Sequence, residues 1–221
     1  MTFAGFTSEA FQFLLDIKFH NNRDWFEQNR EAYVRALQQP CLALAQALVP
    51  AMLAIDPRYD PRPQRIVARI HRDVRYSHGI PYKDYVFLSF KPAGAMNSQV
   101  LSCYFYLQYN AWGYGTGFYA PVRPAMEAFR ARLLREGEAF RAALSQPGME
   151  RFQLSGESYK KRRAPASLDE ALAAWYDKKS FYLECSHPVD DLVRSPALVD
   201  ELTEGFGLLA PIVRFIVPPA L

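Results

Sequence analysis

Cysteine is scarce in this chain. Cys41, Cys103 and Cys185 are the only three in 221 residues, far apart and without Cys-x-x-Cys spacing. That sets aside a disulfide framework and a zinc site, and fits reduced thiols in a cytoplasmic protein. Histidine is equally sparse. His20, His71, His78 and His187 show no paired ligand spacing, and His187-Pro188 followed by Asp190-Asp191 supplies one imidazole and two adjacent acids, so no metal is expected. No Walker loop, dinucleotide fingerprint, Gly-x-Ser-x-Gly elbow or Ser-His-Asp order appears, and no cofactor is expected either. The N-terminus has no basic segment leading into an apolar run, so no secretory signal is read. The longest apolar stretch, 41–55, is interrupted by Gln46 and Pro50 and falls short of a bilayer span, which leaves no membrane partner. A strong excess of one charge is also missing. The formal balance of +3 argues against a dedicated duplex-DNA binder.

Half of the residues are apolar, enough to bury one good core, so 1–221 reads as a single domain. The alternative division is a helical portion, 1–57, and a sheet-plus-helix portion, 58–221. Thr7 or Ser8 can cap a first helix to Phe19; Asn21 and Asn22 can cap a second from Asp24 through Tyr33 to Leu37. Pro40 suits the first turn of a third, ending before Pro50 or Asp56-Pro57. The period then changes. Segments 65–74, 85–90, 100–109 and 112–119 are rich in β-branched and aromatic residues and read as strands, the last two joined at Asn110-Ala111. Gly113, Gly115 and Gly117 share one strand face and leave a surface where a backbone, a ring or a ligand can approach. Pro124 opens a long helix to Leu144. Segment 151–159 reads as strand or loop, Ser167 with Glu170 as a capping box, 181–185 as a strand, and Pro196 as the start of a last helix. The order predicts an α+β fold: N-terminal helices, a central mainly antiparallel sheet, and C-terminal helices packed on it.

Between 58 and 83 stand Arg58, Arg62, Arg65, Arg69, Arg72 and Arg75, with Asp60 and Asp73 as the only acids. A guanidinium stays charged and must face water, a carboxylate or an anion. On a regular strand Arg69, His71 and Asp73 stand in a row about 7 Å apart, able to converge on one ligand. The functional reading is an anion site in which Arg69, Arg72 and Arg75 hold a phosphate or carboxylate, His71 acts as acid or base and Asp73 orients it. Tyr82 and Lys83, with Tyr76 and His78 in the intervening loop, complete the pocket. The competing reading is an ion-pair network in which Asp24, Asp73 and Asp84 neutralise Arg69, Arg72 and Arg75.

Asn21-Asn22-Arg23-Asp24-Trp25-Phe26 supplies one cap more than a helix start needs, freeing one asparagine for another purpose; Trp25 and Phe26 read as core anchors. The basic run 160–163, with Lys178 and Lys179, is a solvated face or an extension of a positive groove.

Taken in order, Gly5-Phe6, Asn21-Asn22-Arg23-Asp24-Trp25-Phe26, Arg69-Ile70-His71-Arg72-Asp73-Val74-Arg75-Tyr76-Ser77, Pro81-Tyr82-Lys83, the glycine-rich stretch from Gly115 to Tyr119, Gly156-Glu157 and Lys178-Lys179-Ser180-Phe181 form a recognisable set. On these motifs the chain resembles the conserved hypothetical protein family catalogued as domain of unknown function 2461, over nearly its whole length. The resemblance brings no established activity and implies a complete family member. In the family the turn between Ser77 and Pro81 is usually longer and holds an Asp-Lys pair, and a Pro-Lys-Gly element usually follows Lys161. Here His78-Gly79-Ile80 and Arg163-Ala164-Pro165-Ala166 stand instead, so any ligand work done by those family residues is altered in this member.

The expectation is an enzyme or ligand-binding protein acting on a small anionic substrate through the Arg/His/Asp strand. The alternative is a nucleic-acid or protein interaction module with the arginines in structural ion pairs; nucleic acid stays open as a partner, and the residues leave enzyme status and oligomeric state undecided.

Overall fold

A computed structural model describes residues 2–73, 75, 77, 79–96 and 100–217. Helices come first: α1 (Ser8–Phe19), α2 (Arg23–Gln28), α3 (Arg30–Tyr33), a π-turn at Val34–Gln38, and α4 (Gln39–Ile55). Pro40 lies in the first turn of α4, where its missing N–H costs nothing, but Pro50 does not end the helix, which continues to Ile55. The run Arg30–Ile55 is long and apolar enough to cross a membrane by length and composition. Cys41, Leu44, Ala45, Leu48 and Met52 along it are buried in the core.

Asn22 caps α2, its Oδ1 accepting from Trp25 N at 2.9 Å. Asn21 is the asparagine left over. Its side chain donates to Tyr82 O and accepts from Tyr82 N, both at 3.0 Å, as a strand neighbour would. Phe26 is buried and stacks on Tyr82 with centroids 4.2 Å apart, while Trp25 lies against Phe13 and His20.

The sheet has five strands in the order β1-β2-β3-β5-β4: β1 (Val86–Phe90), β2 (Ser102–Leu107), β3 (Ala111–Phe118), β4 (Gln153–Ser155) and β5 (Phe181–Pro188). Every pairing is antiparallel. The turn between β2 and β3 is Tyr109-Asn110, closed by Gln108 N to Ala111 O at 2.7 Å, one residue earlier than the sequence suggests. The remaining helices are α5 (Pro63–Ile66), α6 (Arg123–Leu144), α7 (Glu170–Tyr176) and α8 (Leu198–Ile216), with a 3₁₀ turn at Met149–Arg151. The cap of α7 is Asp169, which accepts from Leu172 N at 3.0 Å, and not Ser167.

Among the described residues of the expected strand 65–74, no strand forms. Pro63 starts a helical turn that ends at Ile66, and beyond it only Val67 and His71 make isolated bridges, to Leu88 and Tyr82. Within it Arg69, His71 and Asp73 are exposed and alternate with the buried Ile70 and the half-buried Arg72.

One sheet face is covered by helices. Leu88, Phe105, Tyr114 and Cys185 are register neighbours across β1, β2, β3 and β5, and all are buried. Helix α8 packs on β3, α4 and α6. The opposite face carries Phe87, Tyr104, Tyr106, the three glycines of β3, Tyr182 and Glu184, and most of these line a cavity. The α+β expectation holds, with helices before and after the sheet in sequence.

Candidate functional site

The open face holds a cavity of about 550 Å³. Its floor is built by register. Tyr104, Gly115 and Glu184 stand opposite one another on β2, β3 and β5, and Tyr106 pairs with Gly113 in the next row. The middle strand contributes no side chains, so the two tyrosines lean across it. Tyr104 Oη donates to Glu184 Oε2 at 2.7 Å and Tyr106 Oη to Oε1 at 3.2 Å. A Cβ on Gly113 would stand 2.7 Å from the Tyr106 ring. At Gly113 the glycine alternation read from the sequence thus serves the approach of an aromatic ring, and at Gly115 and Gly117 it serves the close approach of the β5 backbone at Leu183 and Phe181.

Phe87 stacks on Tyr104 with centroids 5.5 Å apart, and Tyr182 meets Tyr104 edge-on at 6.3 Å. Tyr119, 72% exposed, and Ser155 also line the cavity. Ala68, Lys83 and Tyr85 close the β1 side. Burial raises the Tyr104 and Tyr106 phenols, and the Glu184 charge adds to it; Tyr106 is pushed up to about 12. Both therefore keep their protons and act as donors to the carboxylate at physiological pH. Lys83 is lowered from its ordinary value, first by burial and then by the Arg72 charge. Its Nζ donates to Arg69 O at 2.7 Å.

Of the candidate catalytic and anion-holding residues, Lys83 is the one among the described residues that lines this cavity; Gly117 and Tyr119 of the glycine-rich stretch line it too. Arg72 donates from Nε to Tyr82 O and pairs with Asp84, both at 2.8 Å. Asp73 forms a salt bridge with Arg75 at 2.6 Å, which holds its carboxyl down to about 2. His71 is exposed, with its ring against Phe26 and Tyr82. Tyr82 is buried, and Arg69 is exposed with no ion-pair partner among the described residues. Val74, Tyr76 and His78 lie outside the described residues.

The arginine-rich segment is largely neutralised by one local device. In Asp56-Pro57-Arg58, Asp60-Pro61-Arg62 and Asp73-Val74-Arg75 the carboxylate accepts from both the backbone N and the Nε of the arginine two residues on. This is the short-range bonding that aspartate favours at turns. Asp84 pairs with Arg72 as the ion-pair reading expects; Asp24 makes no such pair among the described residues. Reading the segment from Arg58 onward missed Asp56. Glu184, Tyr104 and Tyr106 were also missed, because Tyr104 and Glu184 lie 80 residues apart and meet only through sheet order. The glycine stripe was the one signal that pointed to them.

Elsewhere the three cysteines are free and buried. Among the described residues no group of three or more His, Cys, Asp and Glu side chains could hold a metal ion.

The family model "Conserved hypothetical protein (DUF2461)" matches residues 9–215, and the chain belongs to that family. A search of curated proteins finds no match.

Proposed function

We propose that this protein binds a small organic ligand on the open face of its sheet, with a flat body against the tyrosines and an anionic group at Lys83. The observation that carries this reading is the 550 Å³ cavity, walled by Tyr85, Phe87, Tyr104, Tyr106, Tyr119 and Tyr182 and reached by one lysine. Volume and lining match those of small-molecule sites, in which aromatic walls supply contact area and a few polar groups set orientation. The anionic ligand expected from the sequence is retained, but its cation becomes Lys83, because Arg72 and Arg75 already hold carboxylates. Three buried free thiols suit the reducing cytoplasm as the place of action.

One observation favours a second reading, single-stranded nucleic acid. The exposed basic run 160–163 follows β4 closely, and the Arg163 guanidinium lies 3.8 Å over the Tyr159 ring. Glu184 in the middle of the aromatic face counts against it, since a phosphate chain crossing there meets a carboxylate.

The test is a thermal-shift and calorimetric screen of aromatic carboxylates, aromatic phosphates and short oligonucleotides. A small aromatic anion is expected to raise the melting temperature of the parent and to lose most of that effect in Lys83→Met. Stabilisation by oligonucleotides alone, unchanged in Lys83→Met, would overturn the reading.

A further inference from the structure

The cavity contains two opposite charges that do not neutralise each other. Glu184 has no cation within ion-pair distance among the described residues; its contacts are the two phenols. A carboxylate offers about four acceptor positions, and each of its oxygens here uses one, so acceptor capacity faces the cavity unused. The aromatic rings beside it, Tyr104 and Tyr182, present the kind of surface that attracts cations. At the other side Lys83 spends one of its three donors on Arg69 O, which leaves two for a ligand.

Sheet order separates the poles. Lys83 lies just before β1, and Glu184 lies on β5, with β2 and β3 between. Three strand spacings put about 14 Å between backbones across the sheet, and the two are also offset along it, since the row of Glu184 meets β1 at Ser89, beyond Lys83. A lysine and a glutamate so placed do not close on each other. Each charge needs its own partner or water, and a single ligand that carries both complements answers both needs.

We infer that the ligand is a zwitterion whose positively charged nitrogen is held by Glu184 and whose acid group is held by Lys83, with an aromatic or otherwise flat body between them. This rests on the proposed function and adds the ligand's second pole. The charges belong at opposite ends of the molecule, not on one carbon, because the two side chains come from opposite sides of the cavity. Tyr104 and Tyr106 are positioning residues here: their hydrogen bonds fix the Glu184 carboxylate above the glycine floor.

Three probes with one ring dissect the claim: 4-(aminomethyl)benzoate, with both poles, benzylamine, with the nitrogen alone, and 4-methylbenzoate, with the acid alone. Each is added at millimolar concentration to the parent, Glu184→Gln and Lys83→Met, after melts without ligand confirm that the variants fold. The two-pole probe is expected to stabilise the parent more than either half. In Glu184→Gln its shift should fall to that of 4-methylbenzoate, and in Lys83→Met to that of benzylamine. Equal shifts from 4-(aminomethyl)benzoate and 4-methylbenzoate, unchanged by Glu184→Gln, would overturn the inference and leave the anion-binding cavity standing. Silence from all three, with a response to some other aromatic anion that Lys83→Met abolishes, would do the same. Silence there and across the wider screen would remove the cavity reading as well.

Discussion

Asp60 shows what the local aspartate–arginine pairs do for this protein. The Arg62 guanidinium holds its carboxyl down to about 2, against burial that works the other way. The ordinary value is about 3.9, so the folded state binds the proton less readily than the unfolded one. The stability from this pair is therefore fully present above pH ~4 and is lost as pH falls through about 2. Asp60→Asn should melt below the parent at neutral pH, with the gap closing between those values; calorimetric melts across that range check it, and a constant gap would refute it. Lys83 has the opposite sign. A lowered folded pKa means that the unfolded chain holds the proton longer, so charged Lys83 costs stability at neutral pH, and the cost fades as pH rises toward the ordinary lysine value. Lys83→Met should be more stable than the parent at pH 7, and the two melting temperatures should converge at alkaline pH. At this scale the sequence was half legible. The surplus asparagine at 21–22 was visible by counting caps, and its partner, the Tyr82 backbone, was not. The arginine excess was visible too, but pairing at a spacing of two residues conceals itself when acids are counted across a window.

Elements were easier to read than their contacts. Periodicity and proline position placed α1, α4, α6, the start of α8 and four of the strands within a few residues, because amphipathic helices and alternating strands carry their burial pattern in the chain itself. The segment 65–74 misled for a physical reason: Val67, Ile70 and their neighbours have β character, but Pro63 pre-sets a helical φ and diverts the first turn. The open sheet face was the least legible part, since four strands build it and no one of them shows it. Gly113 is its most exposed dependency. A methyl at that position meets the Tyr106 ring and the Cys185 carbonyl, 2.7 and 2.8 Å away. Gly113→Ala should destabilise the protein by about 1–3 kcal/mol, as overpacking does, and should weaken ligand binding by displacing Tyr106 from Glu184. Denaturant titration and the ligand screen measure the two effects separately; full binding in a destabilised variant would show that Tyr106 does not position the carboxylate.

The whole molecule is held together by helices that finish one another. Arg214 of α8 donates to Ala54 O and Ile55 O at the end of α4, and Arg132 of α6 donates to Arg214 O and Phe215 O near the end of α8. Arg130 does the same for α7 through Tyr176 O and Lys178 O. Carbonyls that each helix leaves without intrahelical partners are thus taken by a guanidinium from another element, favourable for charge as well as for hydrogen bonding. The core is equally continuous: Phe6 stacks on Phe105 of β2, and one cluster of buried residues runs from Phe3 to Ile216. A helical portion 1–57 that unfolds by itself would have to break both sets of contacts. The chain should instead unfold as a single unit, and its three tryptophans can report on that. Trp25 sits in α2, Trp112 in β3 and Trp175 in α7. Single-tryptophan variants should show coincident urea midpoints. Leu202→Ala, which empties a fully buried position on α8, should cost about 2–5 kcal/mol and shift all three midpoints together. If the Trp25 signal kept its midpoint while the other two moved, the N-terminal helices would be a separate folding unit, and the arginine caps between α4 and α8 would be contacts between domains.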